Sequence, residues 1–275
     1  MAKGTVTERL AKRGRSRRSM FDEGSGPALV VIPGVQGRWE WMAPALRKLA
    51  AHCRVISYSL GGDIGSGRRA AGFDGYVNQL DEVLDVAGVE RAAICGVSFG
   101  GFIAVRYAAT RDPRVGALVL ASAPAPGWRP NHQQERWVQS PWRSAPTFVA
   151  TAPFRLWPEV SAAYPDARSR LQFFVRTGIR AASAPMIPGL MGKRVREALS
   201  LDFTEDCRKV AAPTLVISGE PELDRVVPVA NTRRYASLIS NARYELMPGT
   251  GHLGVLTHPD RFAAIVSGFI HGHDF

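Results

Sequence analysis

Arg91–Arg106, RAAICGVSFGGFIAVR, decides how the rest of the chain is read. Four apolar residues, Ala92 to Cys95, lead into Gly96-Val97-Ser98-Phe99-Gly100-Gly101, and apolar residues then resume at helical spacing as Phe102, Ile103, Val105 and Tyr107. The pattern predicts a buried strand, a sharp turn and a helix. A serine hydroxyl becomes a useful nucleophile only when it is lifted clear of the sheet, aimed at a base and set beside backbone N–H donors. A strained strand-to-helix turn meets all three needs and demands small residues two positions either side of the serine. Gly96 and Gly100 stand there. By itself G-x-S-x-G is a short pattern in a chain with 27 glycines, and an ordinary Gly/Ser turn would read the same way. Context must decide.

Working outward, apolar runs alternate with amphipathic stretches. Pro27–Gly34 reads as a buried strand delivering a loop, Trp41–Leu49 as a helix, Arg54–Tyr58 as a strand with a glycine-rich loop Ser59–Gly67 behind it, and Tyr76–Val86 as a helix. Val115–Leu120 follows the central motif as another strand. The alternation breaks over 124–212, which is rich in proline and tryptophan and shows helical patches only. It resumes with the strand Pro213–Gly219, the helix Val229–Ile239, the strand Ala242–Met247 and the helix Pro259–Phe269. All-apolar strands alternating with helices imply an α/β fold, a mostly parallel central sheet covered by helices on both faces. The expected division is a basic, frayed segment 1–26 (with a short edge strand at Arg18–Glu23), a core of 27–123 and 213–275, and an inserted helical cap 124–212. Ligands in such sheets bind at the carboxyl ends of the strands, where Gly34, Ser59 and Ser98 fall.

Composition narrows the class. At 275 residues and 45% hydrophobic content the chain can bury a full core. Its net charge of +11 is concentrated in the first twenty residues and in 125–200, where ten arginines and Lys193 face four acids. Charge confined to a tail and an insert gives only weak support for nucleic acid as a partner; a solvated surface is the commoner explanation. Cys53, Cys95 and Cys207 form neither a metal-ligand spacing nor a disulfide framework. No apolar run approaches a membrane span and the N-terminus lacks the core of a signal peptide, so the default location is cytoplasmic. The loop Gly61–Gly67 has the glycines of a phosphate loop but not its lysine, and no cofactor or metal is expected. Oligomeric state is left open.

A serine nucleophile needs a base, and the base a carboxylate. Of six histidines, His252 follows the last expected strand in Pro248-Gly249-Thr250-Gly251-His252. The loop after the preceding strand, Gly219-Glu220-Pro221-Glu222-Leu223-Asp224, offers Glu220, Glu222 and Asp224.

With these three segments in order, the chain resembles the α/β-hydrolase superfamily, in its serine-nucleophile branch with a helical cap, over about residues 27–123 and 213–270. The order Ser98, Asp224, His252 matches, as do the acid loop's ending in Asp-Arg-Val-Val-Pro and Gly-His-Leu-Gly-Val-Leu around the histidine. The resemblance implies Ser98 as nucleophile, His252 as general base and then acid, and Asp224 as the orienting acid. It also implies an oxyanion hole from the backbone N–H groups of Phe99 and Val35. The chain departs from the pattern in carrying Pro33-Gly34 where many relatives have His-Gly, and in an acid loop one residue longer, which keeps Glu220 and Glu222 open as the acid. A serine at the turn removes the branches whose nucleophile is an aspartate.

The expected activity is therefore that of a carboxylesterase-like hydrolase: cleavage of an ester, thioester or related acyl bond of a small, largely apolar substrate through an acyl-enzyme. Acyl transfer, C–C bond hydrolysis and perhydrolysis use the same triad, and a non-catalytic binding protein on the same fold is the alternative from another class. Trp39, Trp41, Trp137 and Trp142 are candidates to line the substrate pocket between sheet and cap.

Overall fold

A computed structural model describes residues 20–63, 66, 72–273 and 275. Most of the basic N-terminal segment and much of the glycine-rich loop lie outside the described residues. Seven strands form one sheet: β1 (Met20–Glu23), β2 (Ala28–Ile32), β3 (Arg54–Tyr58), β4 (Ala92–Val97), β5 (Val115–Ala121), β6 (Thr214–Ser218) and β7 (Ala242–Leu246). Their order is β1-β3-β2-β4-β5-β6-β7. Every pairing is parallel except that of β1, which runs antiparallel to β3 at the edge. The edge strand expected near Glu23 is thus present over its described part.

Alternation within the strands explains the layering. Val30 and Ile32 enter one apolar cluster while Leu29 and Val31 enter another; Ile94 joins the first and Ala93 and Cys95 the second. A strand with both faces buried must be apolar throughout, which is how β2 and β4 are spelled. The first face is covered by α2 (Phe73–Ala87) and α3 (Gly100–Thr110), the second by α1 (Ala43–Leu49) and α12 (Pro259–His271). Helix α2 starts three residues before the expected Tyr76, because Phe73 also faces the core. Its end at Gly88, with φ of 67°, is a left-handed cap that glycine adopts without strain. The single helix expected over 229–239 is two short ones, α9 (Val229–Arg233) and α10 (Tyr235–Leu238).

Between β5 and β6 the chain forms α4 (His132–Gln139), α5 (Pro141–Ala163), α6 (Ala167–Ser183), α7 (Pro188–Leu199) and α8 (Thr204–Lys209), with no strand. Helix α4 opens with a reciprocal cap between Asn131 and Gln134. Helix α5 runs through Pro146, Pro153 and Pro158. Each proline strips a donor from the carbonyl four residues earlier, here Trp142, Val149 and Phe154. Those three residues are 66%, 64% and 80% exposed, so water can take the place of the missing partner.

This helical insertion is pinned to loops at the carboxyl ends of four strands. Arg194 of α7 donates to the carbonyl of Val35 after β2 (3.0 Å), pairs with Asp63 after β3, and is fully buried. Gln134 of α4 donates to the Val226 carbonyl after β6 (2.8 Å). Glu159 of α5 accepts from the Leu253 amide after β7 (2.9 Å).

Candidate active site

The switch in strand order, where β3 lies on one side of β2 and β4 on the other, opens a crevice at their carboxyl ends. Ser98 stands there. It is a non-glycine residue with a positive φ, 52°, a conformation that costs about 1–3 kcal/mol and persists only where its surroundings impose it. The turn is fixed by Ser98 N–H donating to the Ala121 carbonyl (2.9 Å) and Gly101 N–H to the Ser98 carbonyl (2.8 Å). Crowding explains the flanking glycines. A Cβ on Gly96 would stand 2.5 Å from the Gly100 carbonyl oxygen, and one on Gly100 would stand 2.6 Å from the carbonyl oxygen of Ile32.

His252 follows β7 and reaches Ser98 from the far side of β5 and β6. Its Nε2 is 3.0 Å from Ser98 Oγ and its Nδ1 is 3.2 Å from Asp224 Oδ2. The other oxygen of Asp224 accepts from the amides of Val226 and Val227, both at 2.9 Å, and the carboxylate is sealed from solvent. Two amide donors and an imidazole hold the acid in one orientation. Of the three carboxylates the sequence left open, Glu220 turns instead to the Gly249 amide (3.0 Å) and Glu222 is exposed. Burial pulls the His252 imidazole toward neutrality, but the charge and hydrogen bond of Asp224, helped by the charge of Glu159, prevail and raise its pKa above the ordinary 6.5.

Phe99 heads α3 and is buried. Val35 sits in a tight turn in which Gly37 N–H donates to the Gly34 carbonyl (2.9 Å). A trans peptide points its N–H opposite its carbonyl, so that bond aims the Val35 N–H away from the turn. The turn itself abuts the serine: a Cβ on Gly34 would stand 3.3 Å from that of Ser98.

The four tryptophans are placed differently from one another. Trp39 packs on Phe21, with ring centres 5.5 Å apart. Trp41 is buried, its indole N–H donating to the Ala184 carbonyl (2.9 Å). Trp137 meets Phe148 edge-on beneath Arg155, and Trp142 faces outward. The small space beside His252 is walled by strand ends and α11–α12 residues, among them Val97, Ala121, Ile217, Met247 and Phe262, where α11 is Gly254–Thr257.

Glu159 is 3% exposed and lies against the His252 loop. Sequence reasoning counted it only among the charges of the insertion. The available signal was its setting, the lone acid in the largely apolar run Thr151–Ala163. Among the described residues, no three His, Cys, Asp or Glu side chains gather as a metal site would, and no helix is long and apolar enough to cross a membrane.

Comparison with known proteins agrees with this architecture. The 2-hydroxymuconate semialdehyde hydrolase of Pseudomonas sp. (strain CF600) is 28% identical over 268 residues, covering 92% of this chain and 90% of its own. The 2-hydroxy-6-oxo-2,4-heptadienoate hydrolase of Pseudomonas putida is 25% identical over 275 residues, covering 97% of each. Among solved structures, an enol-lactonase from Burkholderia xenovorans LB400 superposes with a TM-score of 0.76 at 22% identity, over 92% of this chain and 95% of its own. A family model for the alpha/beta hydrolase fold matches residues 27–259, and the chain belongs to that family.

Proposed function

We propose that this chain is a serine hydrolase whose triad is Ser98, His252 and Asp224, acting on an ester, thioester or related acyl bond of a small, largely apolar substrate. One observation carries the reading: a single imidazole stands 3.0 Å from the serine hydroxyl and 3.2 Å from a buried carboxylate. In the first step Ser98 Oγ attacks the acyl carbon and its proton passes to His252 Nε2. The leaving group departs with that proton, and the acyl-enzyme remains. A water then gives a proton to His252 and attacks the same carbon, and Ser98 recovers its proton as the acid leaves. Both steps build an oxyanion, for which the N–H groups of Phe99 and Val35 are the proposed donors. Each such donor is worth about 10²–10³ in turnover. We assign 124–212 the role of a cap, supported by its anchorage on the loops that surround Ser98.

A second reading follows from the two sequence relatives. The compounds in their names contain no ester or amide, so their hydrolysis must break a carbon–carbon bond. The same nucleophile and base can serve that reaction here on an unsaturated oxo-acid.

Replacing Ser98 with Ala is expected to abolish turnover of p-nitrophenyl esters and labelling by a fluorophosphonate. Undiminished turnover in a folded variant would overturn the triad. A wild-type chain that neither turns over nor labels would favour a binding role on a hydrolase scaffold. Cleavage of an oxo-dienoate without ester cleavage would select the second reading.

A further inference from the structure

Glu159 lies on α5, about ninety residues before the histidine loop, yet its carboxylate is buried against that loop. Its Oε2 accepts from the Leu253 amide at 2.9 Å, and its Oε1 lies 3.4 Å from Thr257 Oγ1. The Gly251 amide also stabilises its charge, and a Cβ on Gly251 would stand 2.8 Å from Oε2. The residue after His252 is therefore held by a carboxylate from the insertion, which also lies close to the residue before it. Burying a carboxylate is costly, and an amide side chain, with its one acceptor oxygen, could still take the Leu253 bond. The charge itself calls for an explanation, and His252 is the group within its reach that becomes positive during turnover.

We propose that Glu159 is a positioning residue for His252: it holds the backbone next to the imidazole and adds a second negative charge to the one Asp224 supplies. The inference rests on reading Ser98, His252 and Asp224 as the reacting triad. Asp224 orients the ring through Nδ1, whereas Glu159 fixes the segment that carries the ring and ties it to α5. The imidazolium formed in each half of the reaction is thus met by two anions, both shielded from solvent.

The electrostatic surroundings are compatible with this. Burial raises the pKa of Glu159 and the amides of Leu253 and Gly251 oppose it, with His252 favouring its charged form and Asp224 disfavouring it. On His252 the acting charges are Asp224 and Glu159. Next to them, His258 bonds Thr257 Oγ1 (3.2 Å) and is held down by burial and by Arg261. Tyr164, at the end of α5, donates to the Thr257 carbonyl (3.3 Å). Arg155 of α5 and Arg170 of α6 lie over the rings of Trp137 and Trp157.

The test compares the full wild-type chain with Glu159→Gln and Glu159→Ala, by ester hydrolysis across pH and by NMR titration of the His252 imidazole. Gln keeps an acceptor but not the charge. It should move the acid limb of kcat/KM, and the imidazole titration, to lower pH. Ala removes both and should lower kcat/KM on the plateau by about 10–100-fold, the range typical of residues that support an active-site ligand, through kcat more than KM. A Gln variant that titrates like wild type overturns the proposal, as does an Ala variant with wild-type kcat. Should Ala fail to fold, the nearly isosteric Gln variant decides. Absence of fluorophosphonate labelling in the wild type would instead defeat the triad reading, and the imidazole titration would still judge the charge of Glu159.

Discussion

At the scale of single residues, the raised pKa of His252 sets stability and activity against each other. The folded state favours the protonated imidazole, so its contribution to stability is complete below the ordinary value of 6.5 and is lost as pH rises through the higher folded value. The proposed catalysis needs the neutral ring. The acid limb of kcat/KM should therefore lie above 6.5, and a pH–rate profile on a p-nitrophenyl ester checks it; a limb at or below the ordinary histidine value would contradict the two-anion environment. Gly100 argues a separate case. Its Cβ would meet the Ile32 and Pro33 carbonyl oxygens at 2.6 and 2.8 Å, and backbone cannot yield as a side-chain tip can. Gly100→Ala is expected to lose about 1–3 kcal/mol in urea unfolding and to lower kcat by displacing Ser98; a variant as stable and active as wild type would show that the turn is looser than its geometry. Ser98, Asp224 and His252 could be proposed from the sequence because the first turns directly off a strand and the other two lie in the loops that follow strands, with Glu220 and Glu222 left open beside Asp224. Glu159 could not, because standing as the lone acid of its run does not reveal partners about ninety positions away.

Elements differ in how far their spelling exposes them. The strands β2, β4 and β5 are apolar throughout because both faces are covered, and their bounds can be read within a residue or two. The insertion resists such reading: proline normally argues against a helix, and α5 carries three inside it. The residues whose carbonyls face those prolines, Trp142, Val149 and Phe154, are exposed, which leaves water room to compensate. This makes a prediction about Pro153. Proline in a helix interior costs about 3 kcal/mol relative to alanine, while its rigidity in the unfolded chain returns about 1 kcal/mol or less. Pro153→Ala should thus stabilise the protein by about 2 kcal/mol, visible as a higher urea midpoint with an unchanged slope. A lower midpoint would mean that proline is required where it stands, and that the helix is shaped by its bends.

For the whole molecule, the question is what keeps the insertion seated over the sheet. Beside apolar contacts such as those of Ala198 and Leu201, it has polar anchors: Gln134 on Val226, Glu159 on Leu253, and Arg194 on Val35, Gly61 and Asp63. Arg194 has no exposed surface, and neither does the side chain of Asp63. Burial raises the pKa of Asp63, with Arg194 as the main charge opposing it. Two ions taken out of water gain little over an apolar pair of equal volume, but one ion left without the other is strongly destabilising. Arg194→Met should therefore cost about 3–5 kcal/mol, and adding Asp63→Leu should return a large part of it, so that the double-mutant cycle in urea shows strong coupling. Because Arg194 also holds the Val35 carbonyl, recovery of stability need not bring recovery of rate. The double variant is expected to fold well and still turn over slowly, since the turn that carries the proposed Val35 N–H donor has lost an anchor on its next peptide. Additive losses in stability would show that Arg194 works through Val35 and Gly61 and not through Asp63. Full recovery of kcat in the double variant would remove Val35 from the list of groups the insertion helps to place.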